Sequence, residues 1–449
     1  MLIYLEKFLF YLLIFCLPWQ TRKIAHIWGS DFNEWTSAYL YLTDLLVIAI
    51  LGFWLRRQRK KRFLKKGLRI KIQNPGFWLG VFLIISLISL IQASNLSLGF
   101  YQALKLCQMI GLFFYLKSTH LINFKRVAQF FVASGLIQAL IALVQFLNQQ
   151  SLGLRLLGES PLAIGISGVA KIMVGPLKMI RAYGTLPHPN VLAAFLLVSI
   201  FFLYFLWLSK KHSFLNNLFL LIVYWFLLTG LLLTFARTII AIFLLASLIY
   251  FIFIVWKVIQ VFNGPLLKRT IAVFLLFVVF SVSLGLLAWP ELSDRFQVSL
   301  TEQSVGLRVF YGQIALAMIH DHPWLGIGLG NLVWEMRQAL DLLAAWIHQP
   351  VHNIYLLIAS EIGLIGLAVF LMFVYQLLRQ YREQRTENKE QKTVLLFLVS
   401  CLLIIGLFDH FFWTLQQGQI MFWLILGLIA QMKSRPILNR DRPVVDEVV

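Results

Sequence analysis

His352 and Asn353 stand at the mouth of an apolar run, HNIYLLIASEIGLIGL, that continues through Glu361, Gly363 and Gly366. An imidazole takes up a proton near neutral pH, its ordinary pKa being about 6.5. At the end of an apolar run it sits where water meets lipid. Read as a helix at about 100° per residue, His352, Tyr355, Ala359, Gly363 and Gly366 fall near one stripe. The two glycines then let a neighbouring helix approach closely and hold the one that carries His352. The competing reading is an imidazole snorkelling at a membrane interface, and the helix alone does not separate the two. Glu361 lies about 13 Å deeper on the opposite face, where an acid needs a partner or a proton. Lys105, well inside another apolar run, is one candidate partner.

Four arginines bring a second kind of chemistry: Arg181 in RAYGTLPHPN, Arg237 in LTFARTII, Arg308 in GLRVFYGQ, and Arg337. An arginine fork matches paired phosphate oxygens in bidentate geometry. Ordinary loop salt bridging competes with that reading, since Glu291, Asp294, Glu302, Asp321, Glu335 and Asp341 are near in sequence. Bridging is the favoured reading for Arg337, flanked by Glu335 and Asp341, whereas the turn around Arg237 offers no adjacent acid. The group His320-Asp321-His322 ends a helix more readily than it makes a metal site, because side chains two apart diverge on a helix. Asp409 and His410 either face the same site or mark an interface.

The elements that position these residues are set by composition. The chain has 449 residues, 60% of them hydrophobic and 13% charged, with mean hydropathy +0.81. Long runs nearly free of charge recur from end to end, which is the signature of an all-α, polytopic membrane protein. About twelve runs reach the roughly 17–25 residues that cross a bilayer, near 2–18, 38–55, 76–93, 99–116, 127–147, 191–208, 216–233, 238–256, 270–289, 352–378, 394–411 and 415–432. The formal charge of +20 invites a nucleic-acid reading, but its distribution is topological. Arg56 to Lys71 carries ten basic residues and no acid, which places that loop in the cytoplasm. Twelve crossings put every later basic connection, and both termini, on the same side. Attraction to anionic lipids follows, and no nucleic-acid partner is expected. Cys16, Cys107 and Cys401 lie within runs, so no disulfide or metal spacing is expected. The first run lacks a cleavage site and reads as retained.

The chain therefore reads as one membrane domain, 1–449, with outer loops at 148–190 and 290–350 and a charged, disordered tail at 433–449. Helices are expected near Ser304 to Ile319 and Leu332 to Ile347. His322-Pro323 and GIGLGN stop the first, and His348-Gln349-Pro350 ends the second. All four arginines fall on the outer side, where the positive-inside rule disfavours cations, so they need an explanation.

Four blocks on that side, RAYGTLPHPNVLAAF, LTFARTIIA, GLRVFYGQIALAMIHDHPWLGIGLGN and HNIYLLIASEIGLIG, resemble the O-antigen ligase and polymerase superfamily of bacterial envelope glycosyltransferases. The resemblance covers about residues 180–430 and matches the first five runs only in hydropathy. It implies a donor glycan on undecaprenyl diphosphate, transferred at the outer face of the inner membrane to a hydroxyl of lipid A–core or another glycan. It also implies that His352 is the base and that Arg237, Arg308 and, more weakly, Arg181 hold the diphosphate. A diphosphate leaves well once its charge is neutralised, so arginines can stand in for an acid or a metal. No Asp-x-Asp occurs in an outer loop, and neither metal nor other cofactor is expected. The spacing from His-Asn through nine residues to Gly363, then two to Gly366, tips the resemblance toward ligase over polymerase.

Three other readings compete. A transferase using an acid of the first outer loop would draw on Asp31 or Glu34 in DFNEW, far from the four blocks. A flippase or transporter would spread charges along a midplane pathway. A structural protein or receptor would leave the outer arginines without a role. The topology predicts that Lys60→Cys stays unlabelled by an impermeant maleimide in intact cells while Leu300→Cys is labelled. The reverse pattern would overturn the map.

Overall fold

The computed structural model describes residues 2–62, 72–174, 177–260, 262–287, 303–384 and 388–431. The end of the basic run (63–71), Glu291, Asp294 and Glu302, the first part of the large loop, and the tail lie outside the described residues. The chain is a helical integral membrane protein. Its helices are α1 (Leu2–Cys16), α2 (Leu42–Arg62), α3 (Pro75–Ser89), α4 (Leu96–Ser118), α5 (Phe124–Asn148), α6 (Pro189–Leu208), α7 (Phe214–Leu233), α8 (Arg237–Gln260) and α9 (Gly264–Leu287). There follow α10 (Gln303–Asp321), α11 (Leu332–Ala339), α12 (Ile354–Glu383), α13 (Lys389–Ile405), the single turn α14 (Phe411–Thr414) and α15 (Gln416–Gln431). Among the described residues, seven helices are long and apolar enough to cross a membrane. The other five places where a crossing is expected also carry helices, shorter or more polar ones.

Helix α6 organises the bundle. It is apolar on every side and buried throughout its hydrophobic stretch, as a helix without a polar face must be. It packs against α5, α7, α8 and α13. Helix α15 is buried in the same way and packs on α4. Large apolar side chains left exposed on outer helices, such as Leu104, Phe219 and Trp256, form the lipid-facing surface.

Two small antiparallel hairpins were not anticipated. Strands β1 (Arg22–Ile27) and β2 (Ser37–Tyr41) pair between α1 and α2, with Arg22 opposite Tyr41 and a bulge between Ile24 and His26. Strands β3 (Lys171–Val174) and β4 (Leu177–Ile180) pair just before Arg181.

The largest departure from expectation concerns α12. His352 is not on that helix: Asn353 is its N-cap, with a side chain that accepts N–H bonds from Tyr355 and Leu356. The proposed stripe from His352 to Gly366 therefore does not exist. The helix is also broken at Gly363, whose φ is 81°, a left-handed conformation natural to glycine. Into the break fits the segment after α10. Ile327 N–H donates to the Ser360 carbonyl (2.9 Å), Gly328 N–H to the Glu361 carbonyl (3.0 Å), and Leu364 N–H to the Pro323 carbonyl (2.8 Å). Gly363 thus admits a loop backbone, not a helix. Gly366 is tight mainly against its own helix, where a Cβ would meet Ile362. The run GIGLGN, expected only to stop a helix, is this inserted loop. Helix α11 ends at Ala339 and not near Ile347; the remainder holds only a 3-10 turn, Ala345–Ile347.

A Cβ at Gly363 would lie 2.0 Å from the Trp324 carbonyl oxygen. Gly363→Ala should therefore cost at least about 2 kcal/mol and lower the melting temperature in detergent. Gly285→Ala, where a Cβ meets open space, should leave it near wild type. Equal melting of Gly363→Ala and wild type would show that the loop is not seated on this break.

Candidate active site

The site is built where four chain segments end. The Asn353 cap fixes His352 one residue before the first turn of α12, and Ile354 N–H donates to the Gly406 carbonyl (2.8 Å), tying that turn to the end of α13. Helix α10 lays Tyr311 against His352, the rings near-parallel with centroids 5.8 Å apart. The Tyr311 hydroxyl is anchored on the Ile347 carbonyl at 2.6 Å. The segment after α13 brings Asp409 and His410. The His352 and His410 rings meet edge to face at 4.9 Å, and donor atoms of His352, Asp409 and His410 all lie within 4.8 Å of one another. The segment before α6 brings Arg181, His188 and Asn190.

Hydrogen bonds lock these groups together. Asn190 donates to Asp409 (2.7 Å) and accepts from Arg181 (2.8 Å), while Arg181 Nε donates to the Thr234 carbonyl (2.6 Å). Asp409 also accepts the His410 N–H (2.8 Å). His188 is the N-cap of α6: its Nδ1 accepts the Asn190 N–H, so that nitrogen carries no proton, and Pro189 follows at the first helical position. His410 Nδ1 is matched by Thr414 Oγ1 at 2.7 Å.

Arg181, Arg237, Arg308, His188, Tyr311 and His352 line one open cavity, with Asp409 also in its wall. Three arginines expected to bind phosphate thus share one cavity with the imidazole expected to act as base. Arg337 lies elsewhere. It pairs with Asp31 (2.5 Å) and Thr36 (2.8 Å), so its role is bridging, though to neither of the acids beside it in sequence. Glu361, Gly363 and Gly366 stay outside the cavity. Glu361 accepts from Trp413 Nε1 (3.3 Å) in a smaller pocket deeper in the bundle, which it shares with Lys105. The suggested Glu361–Lys105 contact is replaced by an ion pair between Lys105 and Asp44, with Gln416 as a further acceptor at 3.2 Å. His320 and Asp321 form an exposed pair at the end of α10.

The electrostatics follow from burial beside arginines. His352 is pushed below its ordinary 6.5 first by burial, with Asp409 opposing and Arg308 adding to the effect. Burial likewise brings His188 and His410 down to about 3. For Asp409 burial works upward, but His352, His410, His188 and the Asn190 amide outweigh it and hold the carboxyl at about 2. The cluster at neutral pH is therefore one carboxylate among neutral imidazoles, with His352 in its base form. His352, Asp409 and His410 converge closely enough to hold a metal ion, a possibility the sequence did not suggest. Asp409 and His410 are also satisfied internally, by Asn190 and Thr414.

Sequence reasoning missed His188, Asn190 and Tyr311 as individual residues and left Asp409 and His410 undecided. The available signal was His188 directly before a proline that opens an apolar run, a helix-start pattern that also marks a side chain at the membrane mouth.

Residues 222–371 match the family described as O-antigen ligase, a stretch that includes Arg237, Arg308 and His352 but neither Arg181 nor Asp409. The chain is similar to a Rickettsia conorii protein that carries the provisional name polysaccharide ligase, with 25% identity over 188 residues. That alignment covers 40% of this chain and 43% of the relative, so the chain spans under half of the relative's length.

Proposed function

Because the chain belongs to the O-antigen ligase-like superfamily of polysaccharide biosynthesis, we propose that it transfers a glycan from undecaprenyl diphosphate to an acceptor hydroxyl at the outer face of the bacterial inner membrane. Twelve helices cross the bilayer in this reading, both termini are cytoplasmic, and the cavity around His352 opens outward. The observation that carries the proposal is an imidazole placed in the wall of a three-arginine cavity.

In the reaction, Arg237, Arg308 and Arg181 neutralise the donor diphosphate, whose leaving oxygen takes the electron pair of the breaking bond to the anomeric carbon. The acceptor hydroxyl attacks that carbon as His352 takes its proton. Asp409 stabilises the imidazolium that forms, and Asn190 ties Asp409 to Arg181, so that base and phosphate ligand keep a constant spacing. Neither a metal ion nor a nucleotide sugar enters this scheme. The acceptor is lipid A–core or another surface glycan. The second reading, a polymerase that joins lipid-linked repeats, uses the same donor geometry and differs only in acceptor. Three arginines gathered in one cavity, with the deeper Lys105 already paired to Asp44, favour chemistry over transport.

The test is transfer by purified protein from an undecaprenyl diphosphate oligosaccharide to lipid A–core or to a second lipid-linked oligosaccharide. His352→Ala should lose about a hundredfold or more in rate. In wild type the acid limb of kcat/KM should lie below pH 6.5, because His352 must be unprotonated and its pKa is lowered. Comparable rates for wild type and His352→Ala would remove the base role, and a wild type that moves lipid across the bilayer without transferring sugar would favour the flippase.

Arg237→Lys keeps the charge but loses the two-pronged contact, and should raise the donor KM about tenfold or more. Arg337→Lys, whose residue does not line the cavity, should leave donor KM near wild type. The opposite ranking would show the wrong arginines assigned.

A further inference from the structure

His410 has no part in the transfer scheme, yet it is buried beside the base. Its ring meets His352 edge to face at 4.9 Å, and its backbone N–H donates to Asp409 (2.8 Å). Its side chain is also held in one tautomer. Nδ1 lies 2.7 Å from Thr414 Oγ1, and that hydroxyl donates to the His410 carbonyl (3.2 Å). A hydroxyl has a single proton, so toward Nδ1 it is the acceptor. Nδ1 then carries the ring hydrogen and Nε2 keeps a bare lone pair. His352 is held less firmly: the Pro350 carbonyl acts on its ring, but the buried Nδ1 makes no hydrogen bond of normal geometry. Asp409 adds a buried carboxylate whose two oxygens take the Asn190 amide and the His410 N–H and keep further lone pairs.

We propose that His352, Asp409 and His410 together bind a borderline divalent cation, Zn²⁺ foremost, and that its binding switches transfer off. The binding half stands on geometry and donor chemistry; the switch half rests on the transfer reaction proposed above. One donor atom from each residue lies within 4.8 Å of the other two. In a tetrahedral site with bonds of about 2.1 Å, ligand atoms stand about 3.4 Å apart. Closing from 4.8 Å to about 3.4 Å asks for at most about 1.4 Å between any pair, which is a matter of side-chain torsions. Two imidazole nitrogens and one carboxylate oxygen suit Zn²⁺ or Co²⁺, whereas Mg²⁺ and Ca²⁺ take six or more ligands, mostly oxygens. The outer shell that orients such ligands is present, with Asn190 on Asp409 and Thr414 on His410.

Three protein ligands leave a fourth position for water, as in zinc sites that are not closed by the protein. Arg308 shares the cavity and opposes a cation, while Asp409 supplies one compensating charge. The affinity should therefore fall below that of a closed four-ligand site. The consequence for the base is direct. A neutral imidazole has one basic nitrogen, and once a metal occupies it none is left to take the acceptor's proton.

The experiment uses the full chain, purified without a polyhistidine tag and stripped by chelator. Co²⁺ is titrated in by visible absorption and then displaced by Zn²⁺. Wild type should bind one Co²⁺ with the intense visible bands of a four-coordinate site. His410→Gln should weaken binding at least about tenfold, and Thr414→Val, which leaves all three ligands in place, about tenfold. Melting temperature checks that both are folded. His320→Gln, which removes the exposed His320–Asp321 pair at the end of α10, should bind as wild type does. In the transfer assay Zn²⁺ should inhibit reversibly, Mg²⁺ should not, and Thr414→Val should shift the inhibitory Zn²⁺ concentration in step with its affinity. No cobalt bands, or binding lost in His320→Gln and kept in His410→Gln and Thr414→Val, would overturn the site. Binding that depends on His410 while transfer proceeds undisturbed would overturn the switch. A wild type that binds Co²⁺ through His410 but transfers to no acceptor would defeat the transfer reading and leave the metal site standing.

Discussion

The break of α12 at Gly363 is the constraint on which the site depends. Inside a bilayer a helix cannot leave carbonyls unsatisfied, and irregular backbone survives at that depth only where protein covers it. The carbonyls of Ser360 and Glu361 are covered by the N–H groups of Ile327 and Gly328, and the Pro323 carbonyl by that of Leu364. The loop is held on its other side too: Leu329 N–H donates to Ser89, and the Asn331 side chain accepts from Asn95 N–H. Residues 323–331 are thus spliced between α3, α4 and α12. Since that loop follows α10 directly, the splice determines where Arg308 and Tyr311 stand relative to His352.

Around that scaffold the polar groups form a chain from Arg181 to His352. The Thr234 carbonyl holds Arg181, Arg181 holds Asn190, Asn190 holds Asp409, and Asp409 lies against His352 and His410. Each bond uses a group that would be costly to bury alone. The neighbouring imidazoles first, and then the Asn190 amide, favour the charged form of the buried Asp409, while burial lowers the pKa of His410. An imidazole that shares a cavity with a carboxylate and three arginines suits the proposed reaction, in which negative charge would build on a leaving diphosphate and positive charge on the ring.

Much of this was legible in the sequence for a physical reason. Lipid permits few solutions, so apolar runs of sufficient length mark helices directly, and each of the twelve expected apolar runs carries a helix. The expectation of arginines on the side where the positive-inside rule disfavours them singled out Arg181, Arg237 and Arg308, and these share one cavity with His352. Where reasoning failed, it treated local spacing as geometry. His352 to Gly366 made a plausible stripe only if the helix began at His352 and ran unbroken, and it does neither.

What the sequence alone determined is what depends on solvent and local chemistry: a membrane-embedded helical chain and the residue types able to bind phosphate and take a proton. What only the tertiary structure decided is which distant segments share a cavity. Asp31 chooses Arg337, Asp44 chooses Lys105, and the turn carrying Trp35 comes to rest beside His410. Hydropathy cannot specify those partners, because an apolar run says that a helix crosses but not which face it turns to its neighbours. That choice is made by close packing and by the pairing of buried polar groups, and both exist only once the helices have assembled.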